Sequence, residues 1–496
     1  MFDHVVAALG MISDPYVLIV VLLSSIYGLF IGAVPGLSAT MAVALLVPVT
    51  FFMPAVPAIA AMVSATAMAI FSGDIPGCLL RIPGTPSSAA YTDEAHAMAR
   101  NGEAGRALGA GLVVSCIGGL FGTLVLIFFA PVLAEFALDF STYEYFWLVL
   151  LGLTCAIFIA SESPLKGFIS LLIGLFATTV GMNNPGGYAR FTFGNTDLLG
   201  GLSLIPIMVG MFAVSEVLRY AVTSAHGFQK IDATVGHIFK GLYRVLIKYP
   251  MSVVRGSVLG VVVGALPGAG ADIAAYISYG ISKKFSKTPE KFGTGYVEGI
   301  VEASSANNSS LGGAWIPALV FGIPGDSITA IVIGVLYMKN LNPGPTIFLN
   351  NPVALYAIFL IFILANLLMI PLGYGAIRLA RTVLKVPRNI LMPLILLFCL
   401  VGSYSINNSL FDVGVTLAFG VIAYLMEENG FPLAPTILGI ILGGMLENNL
   451  VSSLIKSDGH LLAFFDRPIA GTLGVITLAI WVVPFIFRAM RSRRPA

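Results

Sequence analysis

The residues of this chain that could do chemistry stand where apolar segments are broken. Asp272 follows Pro267-Gly268-Ala269-Gly270-Ala271, and Ser38 and Thr40 follow Pro35-Gly36-Leu37. Thr85, Ser87 and Ser88 follow Ile82-Pro83-Gly84, and Asp326, Ser327 and Thr329 follow Ile323-Pro324-Gly325. Asp74 and the run Ser304-Ser305-Ala306-Asn307-Asn308 lie inside apolar surroundings. A half-helix that starts at a Pro-Gly break presents free amides and a partial positive charge, and so holds a carboxylate without a buried arginine. Unwound carbonyls together with Asn, Ser, Thr or Asp oxygens suit a hard cation such as sodium.

These residues fall into two sets. Pro35, Gly36, Ser38, Thr40, Thr85, Ser87, Gly268, Gly270, Asn307, Asn308, Gly325 and Ser327 are expected to approach an anionic ligand. Asp272, Ser305, Asp326 and Thr329 are expected to hold a coupling ion, sodium or a proton, with no other cofactor. An unpaired carboxylate at mid-membrane costs roughly 2.5–3.5 kcal/mol on insertion scales, which makes Asp272 the sharpest candidate. Each residue also has a structural alternative. Asp272 could cap a helix after the Gly270 turn, the Asn pair could join helices, and Asp74 could lie at the interface facing Arg81. Hydroxyls bond backward to their own helix at little cost.

The elements that must position these residues are membrane helices. The chain has 496 residues, 57% hydrophobic and only 10% charged, with a mean hydropathy of +0.95. A soluble protein would carry about 25% charged residues. An all-α polytopic membrane protein with about 10–14 membrane segments is therefore expected. Cys78, Cys116, Cys155 and Cys399 are scattered through apolar segments and form neither a disulfide framework nor a metal site. Met1-Phe2-Asp3-His4 has no basic stretch, so no cleaved signal peptide is expected.

In chain order, the apolar run from Pro15 to Phe52 reads as a helix or helical hairpin broken at Pro35-Gly36, and a second segment runs from about Ala58 to Leu80. Spans are expected near 107–133, 145–160, 167–182 and 201–218, and after the Pro267-Gly268 hairpin near 295–320, 352–376, 389–404, 412–426, 432–447 and 469–487. Between the two sets of spans, Arg219, Lys230, Lys240, Arg244, Lys248 and Arg255 face one acid, Asp232, with Ile238, Leu242, Val245 and Leu246 at helical spacing. This reads as an interfacial amphipathic helix, with a solvated basic linker as the alternative. The expected organisation is a first transmembrane repeat over 1–218, a basic connector over 219–250, a second repeat over 251–490 and a basic tail over 491–496.

The repeat rests on two anchors. Gly28 to Thr40 returns as Gly260 to Asp272 at an offset of 232 residues. Ile75-Pro76 with Ile82-Pro83-Gly84 returns as Ile316-Pro317 with Ile323-Pro324-Gly325 at an offset of 241. One nine-residue insertion, in the basic loop after Ile281, reconciles the two. Basic loops flank the second hairpin, whereas no Lys or Arg flanks the first, so the halves are expected to be inverted relative to each other. That orientation puts the N-terminus outside and the C-terminus in the cytoplasm, and leaves Arg190, Lys339, Lys456 and Arg467 outside as exceptions.

No metalloprotease signature, nucleophile elbow or phosphate loop occurs, so an enzyme is not expected. Asp93, Glu94 and His96 read as a polar cytoplasmic loop, and Glu135, Asp139 and Glu144 as a solvated turn.

Gly28-Leu29 with Gly32 and Pro35-Gly36-Leu37-Ser38, Gly264 to Ala274, Asn307-Asn308, Gly322-Ile323-Pro324-Gly325, Gly102 to Gly109 and Asn342-Pro343-Gly344-Pro345 together resemble the tripartite tricarboxylate transporter family, specifically its large TctA-type membrane subunit. The resemblance covers nearly the whole chain in order. It implies a carrier in a bacterial inner membrane that imports an organic carboxylate, tricarboxylate (citrate-like) or dicarboxylate, on a sodium or proton gradient. It also implies a small TctB-type membrane subunit and a periplasmic TctC-type solute-binding protein as partners, and an elevator-like movement would fit. A channel or scaffold subunit that does not couple transport is the alternative. The chain departs from the family pattern at Arg81, at Ala303-Ser304 with Glu302 displaced, and at Asp93-Glu94-Ala95-His96.

Overall fold

The computed structural model describes residues 2–159, 163–182, 184–222, 235–384, 386 and 388–491. Among them the secondary structure is helical, with one isolated bridge between Gly181 and Arg190. The chain begins with α1 (Phe2–Ile12), α2 (Pro15–Ala33), α3 (Ala39–Phe51), α4 (Ala55–Ser72) and α5 (Asp74–Leu80). A 3-10 turn (Ser87–Tyr91) leads into α6 (Thr92–Arg100), followed by α7 (Ala104–Ala137), α8 (Thr142–Ile159), α9 (Pro164–Thr178) and α10 (Leu204–Val209), which continues through a π turn into α11 (Ser215–Val222). The second set is α12 (Leu242–Lys248), α13 (Pro250–Gly264), α14 (Gly270–Phe285), α15 (Val297–Phe321), α16 (Ser327–Met338), α17 (Ile347–Asn350) and α18 (Pro352–Val383). The chain closes with α19 (Arg388–Asn407), α20 (Leu410–Glu428), α21 (Leu433–Lys456), α22 (Ala463–Asp466) and α23 (Pro468–Arg491).

Among the described residues nine helices are long and apolar enough to cross a membrane, or ten if α12 and α13, bent by 75°, form one span. Helices stand at all the expected positions, but α9, α15 and α23 are not among those nine. The sequence reading passed over α16, which is apolar but only 12 residues long. The middle of the basic connector, 223–234, lies outside the described residues, as does the basic tail beyond 491. The later part of the connector is amphipathic: Ile238, Leu242 and Val245 are buried while Tyr243, Ile247 and Arg244 are exposed.

Two compact units divide the chain. One comprises residues 1–134 and 205–425, the other 135–204 and 426–496. Within the first unit the repeat is visible contact by contact. Where α2 crosses α4, a Cβ on Gly28 would collide with the Ala65 carbonyl oxygen, and one on Gly32 with that of Ala69. Where α13 crosses α15, the same holds for Gly260 against the Ala306 carbonyl and Gly264 against that of Ser310. Each glycine pair is offset by 232 and each partner pair by 241. Small residues allow such backbone-to-backbone packing between apolar helices, where no hydrophobic effect drives association.

The turns after these helices also match. Thr85 and Ser88 exchange three hydrogen bonds: Ser88 Oγ to the Thr85 carbonyl (2.8 Å), the Thr85 amide to Ser88 Oγ (3.2 Å) and the Ser88 amide to Thr85 Oγ1 (3.3 Å). Asp326 and Thr329, 241 residues on, exchange the same three at 3.0, 3.0 and 2.7 Å. Arg81 adopts φ +60° where its counterpart Gly322 adopts +69°. The extra length of the second half lies between α14 and α15, as the two offsets require. Asn308 Nδ2 donates to the carbonyl of Ala67, its own counterpart at 241 residues, at 3.3 Å.

The second unit is tied by buried polar contacts. Glu144 is buried, accepts from the Ser141 hydroxyl (2.5 Å) and pairs with Arg467 (2.7 Å), so it is not part of a solvated turn. Arg190 makes a two-pronged pair with Glu447 at 2.7 and 2.9 Å. In the first unit Lys339 donates to the Phe51 carbonyl at 2.8 Å. The basic residues left outside by the expected orientation are thus held locally, and an engaged cation is a weak topological signal.

Candidate functional site

The two breaks are built by glycines that only a left-handed backbone position explains. Gly36 has φ +85° and Gly268 φ +83°, at matched positions. Beyond the first break, Ser38 caps α3 by accepting from the Met41 amide at 3.1 Å, while Pro35 is buried, Gly36 exposed, and Thr40 half-buried. Arg388, the first residue of α19, stands beside Gly36: a Cβ there would lie 2.9 Å from its Nη1. Sequence reasoning did not single out Arg388. Its one signal was a cation at the start of an apolar helix.

The second break is drawn against the loop of its own half. The Gly268 amide donates to the Gly325 carbonyl at 2.9 Å. Gly270, at φ +57°, lies directly under Asp326, whose Cβ would be 2.6 Å from a Cβ at that position. Asp272 is the third residue of α14, in the first turn where the helix dipole favours an anion. It is exposed and lies in the neighbourhood of Ser87 and Asp326. Asp326 caps α16, with the amide nitrogen and Oγ1 of Thr329 both at 2.7 Å from its Oδ1. Ser327 opens that helix and is half-buried.

The structure therefore brings together Ser87, Gly268, Gly270, Asp272, Gly325, Asp326, Ser327 and Thr329, with Thr85 joined through Ser87 at 3.1 Å. It places Ser305 elsewhere: its hydroxyl meets Ser257 Oγ at 2.7 Å and the Val253 carbonyl at 3.1 Å, against α13. Asn307 and Asn308 point to different partners. Asn307 Nδ2 donates to the Tyr91 hydroxyl at 3.2 Å, and Tyr91 donates to Asp74 Oδ1 at 2.5 Å. Asp74 is buried and does not face Arg81, which pairs with Asp93 at 2.8 Å.

Glu94 is a further residue that sequence reasoning left in a polar loop. It is fully buried and accepts from the amides of Gly293, Gly295 (2.8 Å) and Tyr296 (2.7 Å) and from the Tyr279 hydroxyl (3.0 Å). The insertion peculiar to the second half is thus latched to the first half by one carboxylate. Glu302 is likewise buried and engages Arg255 in a two-pronged pair at 2.6 and 2.5 Å.

Among the described residues no group of three or more His, Cys, Asp or Glu side chains is placed to hold a metal ion. Duplicated helices, each interrupted at a glycine and each followed by a capped polar loop, define a multi-pass membrane protein with two broken helices. The chain belongs to the tripartite tricarboxylate transporter TctA family, whose model matches residues 18–438. It is 33% identical over 468 residues, 94% of this chain and 92% of the relative, to an uncharacterized 52.8 kDa protein in the TAR-I ttuC' 3' region of Agrobacterium vitis. It is 34% identical over 212 residues to an uncharacterized protein in the TAR-II ttuC' 3' region of the same organism, 42% of this chain and 86% of the relative. No solved structure matches it.

Proposed function

We propose that this chain is the large membrane subunit of a binding-protein-dependent secondary active importer of organic carboxylates, tricarboxylate or dicarboxylate, driven by a sodium or proton gradient. Membership of the family supports a role within a three-part transport system. The observation that carries the rest is the placement of Asp272, a carboxylate in the first turn of a broken helix, in the neighbourhood of Ser87 from the other half and of Asp326. Half-helix N-termini supply amides for an anionic substrate, and acidic side chains beside them supply a place for the coupling cation. The partners in this reading are a TctB-type small membrane subunit and a TctC-type periplasmic binding protein. The location is a bacterial inner membrane, with the N-terminus periplasmic, the C-terminus cytoplasmic and the halves inverted.

Uptake of a panel of labelled carboxylates tests the reading, in cells that carry or lack this chain with both partners present, with and without a sodium gradient. Saturable accumulation against a gradient that requires the chain is expected. Equilibration without accumulation would instead indicate a channel or a scaffold subunit that does not couple transport.

A further inference from the structure

A second carboxylate, Asp74, is more deeply buried than Asp272. Asp74 is 5% exposed, in the span Ala55–Leu80, and no ion pair engages it among the described residues. Its Oδ1 accepts from Tyr91, but its Oδ2 is buried and has no hydrogen-bond partner. Ser304 and Asn307 lie three residues apart on α15, hence on one face of that helix. Both side chains meet the same Tyr91 phenol. Ser304 Oγ and Asn307 Oδ1 are nevertheless buried, and neither makes a hydrogen bond of ordinary geometry. Gly111 on α7 closes the group: a Cβ built there would lie 3.2 Å from Asp74 Oδ2 and 3.8 Å from Ser304 Oγ.

Three buried oxygens without hydrogen-bond partners, of a carboxylate, an amide and a hydroxyl, are costly together, because each loses its water and gains nothing. A proton on Asp74 would serve one of them at a time. A small hard cation serves all three at once, with oxygen ligands of the type that sodium takes. We propose that Asp74 Oδ2, Ser304 Oγ and Asn307 Oδ1 form a buried sodium site, closed by Tyr91 and with its space kept open by Gly111.

The site deepens the carrier reading, on which its use in coupling rests. The 3-10 turn Ser87–Tyr91 is the natural link, since it packs against α14, which carries Asp272, while its Tyr91 donates to Asp74.

The test needs neither partners nor transport. The thermal midpoint of the purified full-length chain in detergent is measured in sodium chloride against equal concentrations of potassium and choline chloride. A ligand bound only by the folded state raises that midpoint in a saturable way. A sodium-specific rise is expected for the wild type, and its loss is expected for Asp74→Asn, Ser304→Ala and Gly111→Ala. Gly111→Ala adds one methyl to a helix interior, where alanine is favoured, and so carries the test if Asp74→Asn does not fold. No sodium-specific rise in the wild type overturns the site, and so does a full rise in Gly111→Ala. A rise lost only in Asp272→Asn moves the ion to that residue and overturns the site as well. Uptake that succeeds without any sodium-specific rise refutes the site and leaves the carrier standing, whereas a sodium rise without uptake does the reverse.

Discussion

The two halves of the first unit share a scaffold and differ in what they place on it. Glycine crossings, Pro-Gly breaks and three-bond caps recur at fixed offsets. At the same positions Thr40 corresponds to Asp272, Thr85 to Asp326, Thr66 to Asn307 and Ala67 to Asn308. The cap shows how this divergence is possible. A threonine or an aspartate oxygen accepts the same amide bond, so position 85 or 326 keeps its structural task whether neutral or charged. The second half thereby carries two carboxylates at its break, Asp272 and Asp326, where the first half carries Thr40 and Thr85.

This comparison can be broken in stages. The largest effect is expected at the crossings. Gly28→Leu and Gly260→Leu both drive a side chain into a carbonyl oxygen of the facing helix, which cannot retreat, and each should cost at least about 3 kcal/mol. Loss of monodisperse protein on size exclusion would be equal for both if the halves share a scaffold, and a tolerated Gly28→Leu would show that they do not.

A smaller effect is expected at the latch. Glu94→Gln keeps its shape but removes the charge that three amides and a hydroxyl address, at about 1.5–3 kcal/mol. Limited proteolysis within 286–296 should accelerate while the rest of the chain stays protected.

The smallest effect is expected at the caps. Thr85→Ala and Asp326→Ala should each lower stability by about 1 kcal/mol, read as a small drop in thermal midpoint. Equal drops sharpen the shared-scaffold view. A much larger drop for Asp326→Ala would mean that this carboxylate does more for the fold than cap a helix.

Much of this was legible because apolar length and Pro-Gly breaks are local signals. The span near 145–160 appears as Thr142–Ile159, and the offset of 241 found in Ile-Pro-Gly reappears in the Asn308 to Ala67 contact. The hidden part depends on partners far along the chain. Glu94 reads as solvent-facing until amides some 200 residues later are placed around it. Asp74 has Arg81 seven residues away, yet the fold gives that arginine to Asp93 and gives Asp74 to Tyr91. Ser305 and Asn308 shared a run with Ser304 and Asn307, but the helix turns them toward α13 and α4 instead.

The most direct measurement is uptake of a labelled carboxylate by the assembled system, comparing Asp272→Asn with Thr40→Val, its counterpart in the first half. A loss of about tenfold to a hundredfold is expected for Asp272→Asn, the order of a charge-assisted hydrogen bond to a ligand, at unchanged protein level, with near-normal uptake for Thr40→Val. Normal uptake by Asp272→Asn, or equal loss in both variants, would contradict the claim that the charged half carries the chemistry.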